Sequence, residues 1–145
     1  MIGTGYVGLV SGTCFADLGN KVYCVDKDIS KIKKLKNGIS PIYEPGLEDL
    51  IKKNYREKRL DFTDDLGKAI KESKIIFICV GTPTKKGSNL VDLSQVYSVA
   101  KSISKYIKSY KIIVTKSTVP LTTGDQIEKI ILKKVKKSLF DVISN

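Results

Sequence analysis

Hydrophobic residues fall into two alternating patterns along almost the whole length of this sequence. Short runs rich in β-branched and aromatic residues, such as 21–25 and 75–80, predict β-strands. Between these runs apolar residues recur every three or four positions, as in 93–107, which predicts helices with one buried face. The predicted strands are 21–25, 60–62, 75–80, 112–115 and 139–143, and the predicted helices are 7–18, 30–36, 45–51, 64–72, 93–107 and 123–135.

Strands that alternate with helices in this way predict an α/β fold. We expect a Rossmann-type, doubly wound parallel sheet between two layers of helices, forming one three-layer αβα domain over residues 1–145. The continuous apolar run 75–80 is typical of a parallel strand that helices cover on both faces. Asp92 is expected to cap the helix 93–107, and Pro45 to lie in the first turn of the helix 45–51. Ligands of such folds bind at the carboxyl ends of the strands.

Glycines at the start of the chain match a dinucleotide-binding fingerprint. Gly3 permits a tight turn, Gly5 lets a pyrophosphate approach the backbone, and Gly8 allows close packing of helix on strand. Asp26 follows 18 residues after Gly8, at the end of the next predicted strand, where a carboxylate can bind both ribose hydroxyls. The competing interpretation is a glycine turn with an unrelated surface aspartate. The agreement of strand, spacing and helix favours the dinucleotide site.

Asp26 also bears on the identity of the cofactor. A carboxylate at this position repels a 2′-phosphate, which favours NAD over NADP. Lys27 and Lys31 lie close by in sequence and would weaken that repulsion.

Two later strand ends are candidates for further cofactor contacts. The segment 80–84 turns sharply after a strand and would place Gly81, Thr82 and Pro83 beside the cofactor. The segment 116–120 follows the next strand and would present the hydroxyls of Ser117 and Thr118 there. Ser, Thr, Gly and Pro are also common in ordinary turns, so spacing alone leaves both interpretations open.

Composition excludes several classes of protein. Hydrophobic residues make up 41% and charged residues 28%, which is typical of a globular protein. No apolar run is long enough to cross a bilayer and no signal peptide precedes the glycine turn, so we expect a cytoplasmic protein with no membrane partner. Cys14, Cys24 and Cys79 lie in apolar stretches without metal-ligand spacing, and histidine is absent, so we expect buried thiols and no metal site.

The formal charge of +11 comes almost entirely from lysine, with Arg56 and Arg59 the only arginines. The lysines are spread over most predicted helices, whereas nucleic-acid-binding proteins usually cluster charge on one face and favour arginine. The charge therefore predicts solvated helix faces and no nucleic-acid partner.

Four segments carry a family resemblance when taken together and in this order: 3–10, 41–47, 80–84 and 116–120. Over essentially its whole length the chain resembles the N-terminal NAD-binding domain of the UDP-glucose/GDP-mannose dehydrogenase family, in its UDP-glucose-oxidising branch. The resemblance implies an enzyme that converts the primary alcohol of a sugar nucleotide to a carboxylate in two NAD-dependent steps. GDP-mannose or a UDP-N-acetylhexosamine as the substrate, and a stand-alone NAD-binding module, remain the alternatives.

The resemblance also implies roles for particular residues. Thr118 matches a threonine that lies near the reacting centre in the family and helps to position a water molecule. The cofactor-binding residues it implies are Gly3, Thr4, Gly5, Tyr6, Val7, Gly8, Asp26, Lys31, Gly81, Thr82, Pro83, Ser117 and Thr118.

The sequence departs from the family pattern at both ends. The central linker and the C-terminal sugar-nucleotide domain, which carries the nucleophilic cysteine, are absent, so we expect this fragment to be inactive alone and the full-length enzyme to be a homodimer. The first strand is largely missing, because only Met1-Ile2 precedes the glycine turn. This loss would leave a slot in the middle of the sheet, lined by apolar groups and unpaired backbone.

Overall fold

The computed structural model describes residues 1–85, 87 and 90–144. Its helices are α1 (Tyr6–Asp17), α2 (Ile29–Lys36), α3 (Leu47–Arg56), α4 (Leu66–Glu72), α5 (Ser94–Ile103) and α6 (Thr123–Leu132). Its strands are β1 (Val22–Val25), β2 (Leu60–Thr63), β3 (Ile75–Ile78), β4 (Lys111–Thr115) and β5 (Phe140–Ser144).

All the strand pairs in the described residues are parallel. β1 pairs with β2, and β4 lies between β3 and β5. Ile2 joins the two groups, because it forms parallel bridges to Val25 on one side and to Ile78 on the other. The order across the sheet is therefore β2, β1, Ile2, β3, β4, β5, which is the order of the Rossmann fold with its first strand reduced to a bridge. The predicted fold class is confirmed.

Helices cover both faces of this sheet. Val22 and Cys24 of β1 pack in a hydrophobic cluster with α1, α2 and α3, whereas Tyr23 and Val25 of the same strand pack against Ala69 of α4. Successive side chains of a strand point to opposite faces, so these contacts place helices on either side. A second large cluster joins α4, α5 and α6 to β3, β4 and β5. The three-layer arrangement follows from these contacts.

Several element boundaries differ from the sequence prediction. α3 begins only at Leu47, because Gly46 takes a left-handed conformation with a φ of 78° and caps the helix, which leaves Pro45 outside it. α5 ends at Ile103, although Ile107 beyond it is still buried. Asp92 does not occupy the N-cap of α5; that position is Leu93, and Asp92 instead accepts a hydrogen bond from the Ser94 N–H.

Two predictions of burial were wrong. Cys14 is exposed, as are Val7 and Leu18 at the same helical spacing, because α1 packs on the sheet through a different face, which contains Leu9, Gly12, Thr13 and Ala16. Ile75, expected to be covered on both faces, is 49% exposed. The reason for the second is the reduced first strand, which leaves the beginning of β3 without a neighbour on that side.

A gap in the sheet lies beside Met1, as the sequence predicted. The Val22 N–H donates to the Arg59 carbonyl and the Asp26 N–H to the Thr63 carbonyl, both on the β2 side. Successive N–H groups of a strand point to opposite sides, so the Tyr23 N–H points away from β2 and into the gap. On the other side Phe77 directs its N–H into the gap, since its carbonyl accepts from the Ile2 N–H at 2.8 Å. The gap is a cavity of about 380 Å³ lined by both strands, by Phe15 and by Met1. The Met1 amino group donates to the Tyr23 carbonyl at 2.7 Å at the border of this cavity.

Candidate functional site

The glycine turn has the geometry that a phosphate-binding turn requires. Gly3 has a φ of 101°, and a Cβ on it would lie 2.6 Å from the carbonyl oxygen of Cys79. A Cβ on Gly8 would lie 1.9 Å from the carbonyl oxygen of Gly3. A Cβ on Gly5, in contrast, would meet no atom within 4 Å. Two of the glycines therefore permit close packing within the fold, and Gly5 faces open space that a ligand can enter.

The N-terminus of α1 faces the same space. Its N-cap is Gly5, which provides no side-chain capping bond, and the first turn contains no acidic residue. The N–H groups of Tyr6, Val7 and Gly8 have no carbonyl partner within the helix, because an α-helix leaves its first N–H groups unpaired. Unpaired N–H groups and the positive end of the helix dipole together attract phosphate oxygens. The residues present therefore fit a dinucleotide pyrophosphate.

Asp26 is held in a fixed position after β1. Its Oδ2 accepts hydrogen bonds from the N–H of Thr4 at 3.0 Å, from the Thr4 hydroxyl at 2.6 Å and from the Lys31 ammonium at 3.2 Å. Its Oδ1 accepts only from the Asp28 N–H, at 3.1 Å, among the contacts of the described residues. The network fills one carboxylate oxygen and leaves capacity on the other, which is what a bond from a ribose hydroxyl needs.

The charge state of Asp26 follows from the same contacts. Burial raises the pKa of this carboxyl, but the hydrogen bonds from Thr4, Asp28 and Lys31 outweigh it and lower the pKa to about 2. Asp26 is therefore a carboxylate at neutral pH, the form that accepts hydrogen bonds from hydroxyls and repels a 2′-phosphate.

A cleft of about 700 Å³ lies at the carboxyl edge of the sheet, and we call it the cofactor cleft. Of the predicted site residues it brings together Gly3, Thr4, Gly5, Asp26, Lys31 and Gly81. A volume of this size is within the range of small-molecule and cofactor sites.

The cofactor cleft also contains residues that the sequence analysis missed. Ser94, Gln95, Ser98 and Ser102 form a polar face of α5 along the cleft, and Asp64 follows β2 at its edge. Serines at 94, 98 and 102 recur every four residues, which is a helical spacing that a closer inspection of the 93–107 pattern could have found. Asp64 directly follows the end of β2, just as Asp26 follows the end of β1, and its position after a strand could likewise have marked it as a candidate site residue.

The remaining predicted residues do not line the cofactor cleft; they are Tyr6, Val7, Gly8, Thr82, Pro83, Ser117 and Thr118. Gly8 supports the turn from behind, while Tyr6 and Val7 are about half exposed at the start of α1. The Thr82 hydroxyl donates to the Thr118 carbonyl at 3.0 Å, which ties the two later turns together.

Ser117, which we expected to present its hydroxyl to the cofactor, directs it into the fold in this structure. Ser117 is buried, and its hydroxyl donates to the carbonyl oxygen of Val80 at 2.7 Å. The side chain is turned inward because the backbone N–H of Ser117 also bonds back to β3, at the carbonyl of Ile78. Thr118, one residue further on, is exposed.

Two of the three cysteines, Cys24 and Cys79, are buried. Burial raises the pKa of both the Cys24 and the Cys79 thiol to about 11, so both are protonated at neutral pH. Within the same part of the chain no three His, Cys, Asp or Glu residues are grouped in a way that would hold a metal ion. Nor does any helix described here have the length and apolar character to cross a membrane.

These features define a Rossmann-type dinucleotide-binding domain. Comparison with known proteins is more specific: residues 1–145 match the NAD binding domain of the UDP-glucose/GDP-mannose dehydrogenase family, and the chain belongs to that family. NAD is accordingly the cofactor of this domain.

Individual relatives agree with this assignment. The chain is 56% identical to the UDP-glucose 6-dehydrogenase TuaD of Bacillus subtilis (strain 168), over 100% of this chain and 32% of that protein. It is 51% identical to a UDP-glucose 6-dehydrogenase of Rhizobium meliloti (strain 1021), over 100% of this chain and 33% of that protein. The chain thus spans about a third of the length of these relatives.

Solved structures give the same fold. A ternary complex of GDP-mannose dehydrogenase from Pseudomonas aeruginosa superposes with a TM-score of 0.95 at 38% identity, covering 99% of this chain and 34% of that one. A UDP-glucose dehydrogenase from the archaeon Pyrobaculum islandicum superposes with a TM-score of 0.93 at 32% identity, covering 99% of this chain and 34% of that one.

Proposed function

We propose that this chain is the NAD-binding part of an oxidoreductase that oxidises UDP-glucose to UDP-glucuronate in two NAD-dependent steps. The observation that carries the proposal is the 56% identity to a UDP-glucose 6-dehydrogenase over the whole chain. The sugar nucleotide, the homodimeric assembly and the cytoplasmic location of the complete enzyme belong to the proposal, as does a place in UDP-glucuronate biosynthesis.

Each part of the cofactor cleft has a role in this proposal. The unpaired N–H groups at the start of α1 bind the pyrophosphate, next to the open space at Gly5. Asp26 accepts hydrogen bonds from the adenosine ribose, and Lys31 holds the Asp26 carboxylate. When bound, NAD supplies the hydride acceptor; the chain's own residues bind and orient it.

The later turns complete the site in the proposal. Gly81, Thr82 and Pro83 contact the cofactor beyond its pyrophosphate, with Ser117 supporting the turn from behind. Thr118 is exposed and lies next to Thr82, which is compatible with the positioning of a water molecule near the reacting centre. Burial raises the pKa of the Cys24 and Cys79 thiols, so we assign the covalent chemistry to neither of them.

A sister activity on GDP-mannose is the second candidate. It is favoured by one observation, the TM-score of 0.95 with a GDP-mannose dehydrogenase. The sequence identity to that protein is lower, at 38%, and for this reason UDP-glucose is the preferred substrate.

An activity assay separates these candidates. The complete protein is incubated with NAD and, in turn, UDP-glucose, GDP-mannose and a UDP-N-acetylhexosamine, and NADH is followed by its absorbance. We expect UDP-glucose to give the highest kcat/KM and two NADH per sugar nucleotide, whereas preference for another sugar nucleotide would overturn the assignment. The 145-residue chain alone is expected to bind NAD and to produce no NADH; turnover by it would show that this domain suffices for catalysis.

A further inference from the structure

A second cavity lies at the opposite edge of the sheet from the cofactor cleft. It has a volume of about 720 Å³ and opens near the amino ends of β1 and β2. We call it the basic groove, because its walls carry the cationic residues Lys21, Lys36, Lys52, Arg56 and Lys58. Asp61 is the one acidic residue in its lining.

The positive charge of the basic groove is only partly neutralised. The Lys21 Nζ lies 3.6 Å from the Glu72 Oε2, and the Lys52 Nζ lies 3.8 Å from the Glu48 Oε2. Both ion pairs are exposed to solvent. Lys36, Arg56 and Lys58 form no ion pair with any described residue. Three cations thus face one cavity with a single lining carboxylate.

Glutamate next to the groove does not cancel this excess. Glu57 follows Arg56 directly but forms an ion pair with Arg59, which is outside the lining. The Asp61 carboxylate accepts a hydrogen bond from the Phe62 N–H, and its single negative charge offsets one of the cations at most.

Helix dipoles explain part of the arrangement. α2 ends at Lys36 and α3 ends at Arg56, and cations at helix C-termini offset the partial negative charge there. That charge is about half an elementary charge per helix, so two helix ends balance roughly one of the three unpaired cations. With Asp61 offsetting roughly one more, about one of the three cations remains without a counterpart in the lining.

The groove also has an aromatic wall. The ring of Tyr55 stacks on Phe62, with centroids 6.1 Å apart, and remains 36% exposed. A partly exposed ring in the same lining as several cationic side chains offers a stacking surface to a base next to phosphates.

We propose that the basic groove binds a polyphosphate anion, with Lys36, Arg56 and Lys58 contacting its phosphate oxygens. The anion is either an inorganic polyphosphate chain or the phosphate chain of a nucleotide, and both share the multiple negative charges that lysine and arginine recognise. Such a ligand would bind without competing with NAD, because the two cavities share no lining residue.

The test is a calorimetric titration of the full chain with inorganic triphosphate, and separately with ATP, in the presence of saturating NAD to fill the cofactor cleft. The variant is Lys36→Ala/Lys58→Gly. Lys36 is an exposed last residue of α2, and Lys58 has a left-handed φ of 59° that glycine adopts without strain, so the variant is expected to fold. Its matched control is Lys133→Ala/Lys134→Ala, which removes the same charge from exposed positions after α6.

We expect saturable binding that the Lys36→Ala/Lys58→Gly variant weakens about fivefold to tenfold while the control stays within about twofold. Tighter binding of ATP than of triphosphate would identify a nucleotide with its base on Tyr55, and equal binding would identify the phosphate chain alone; either supports the proposal. Absence of saturable binding, or an equal loss in the control variant, would overturn it, because general electrostatic attraction would then account for any binding.

Discussion

The bond from the Thr4 hydroxyl to Asp26 fixes one side of the cofactor cleft, and Thr4→Val removes it with almost no change in side-chain shape. Thr4 is 1% exposed, and its hydroxyl donates to the Asp26 Oδ2 at 2.6 Å. A hydrogen bond to a charged group contributes about 1.5–3 kcal/mol. We therefore expect Thr4→Val to lower the free energy of unfolding by about 1.5–3 kcal/mol at neutral pH.

A threonine-to-valine change at Thr13 provides a matched control. Thr13 is fully buried in α1, and its hydroxyl has no hydrogen-bond partner among the described residues. Replacing an unpaired buried hydroxyl by a methyl group is neutral or stabilising. Thr13→Val should therefore leave the unfolding free energy unchanged or raise it, although the chemical change is identical.

Urea denaturation at pH 7 measures both effects, and calorimetry with NAD gives a second readout. Thr4→Val should weaken NAD binding about tenfold, the equivalent of 1.4 kcal/mol, because Asp26 loses a fixed orientation. Thr4→Ser, which keeps the hydroxyl, should restore most of the affinity. A Thr4→Val variant as stable as the wild type, or a Thr13→Val variant that loses as much, would refute the assignment of this energy to the Asp26 bond.

Two further predictions concern the glycine turn and pH. Gly8→Ala places a Cβ 1.9 Å from the Gly3 carbonyl oxygen, so it should lower the free energy of unfolding in chemical denaturation by at least about 3 kcal/mol. Gly5→Ala, whose Cβ would meet no atom within 4 Å, should fold normally and bind NAD poorly. Because the pKa of Asp26 is lowered from 3.8 to about 2, its contribution to stability is fully present above pH 3.8 and is lost as pH falls towards 2. The stability difference between wild type and Asp26→Asn should shrink over that interval, and a difference that stays constant would contradict the lowered pKa.

The parts of the fold that depend on local pattern were predictable from the sequence. Periodicity of two or of three to four residues distinguishes strands from helices, and it located each strand of the described sheet to within a few residues. The glycine turn and Asp26 were predictable for a similar reason, since their spacing is set by one helix and one strand between them.

Contacts between distant segments were not predictable in this way. The bond from Thr4 to Asp26 depends on the bridge of Ile2 to Val25, which sets the register of the turn against β1. Ser117 shows the same limit in the opposite direction: its residue type suggested a ligand contact, but the strand register turned its hydroxyl inward. Periodicity carries no information on such pairings, because they join residues far apart in the chain.

The basic groove illustrates a third case. Along the sequence the lysines are spread over most of the predicted helices. Folding brings the ends of α2 and α3 together, and only then do Lys36, Arg56 and Lys58 face a common cavity. Even spacing along a chain therefore does not exclude a concentrated charge on its surface.

Calorimetric titration of NAD and NADP into the wild-type chain and into Asp26→Asn tests the central claim most directly. Asparagine keeps the shape of aspartate and removes its charge. The account predicts that the wild type binds NAD more tightly than NADP, and that Asp26→Asn weakens NAD binding about tenfold and narrows the gap to NADP. A folded Asp26→Asn variant with wild-type affinity for NAD and the same discrimination against NADP would contradict the role of Asp26 in the cofactor cleft.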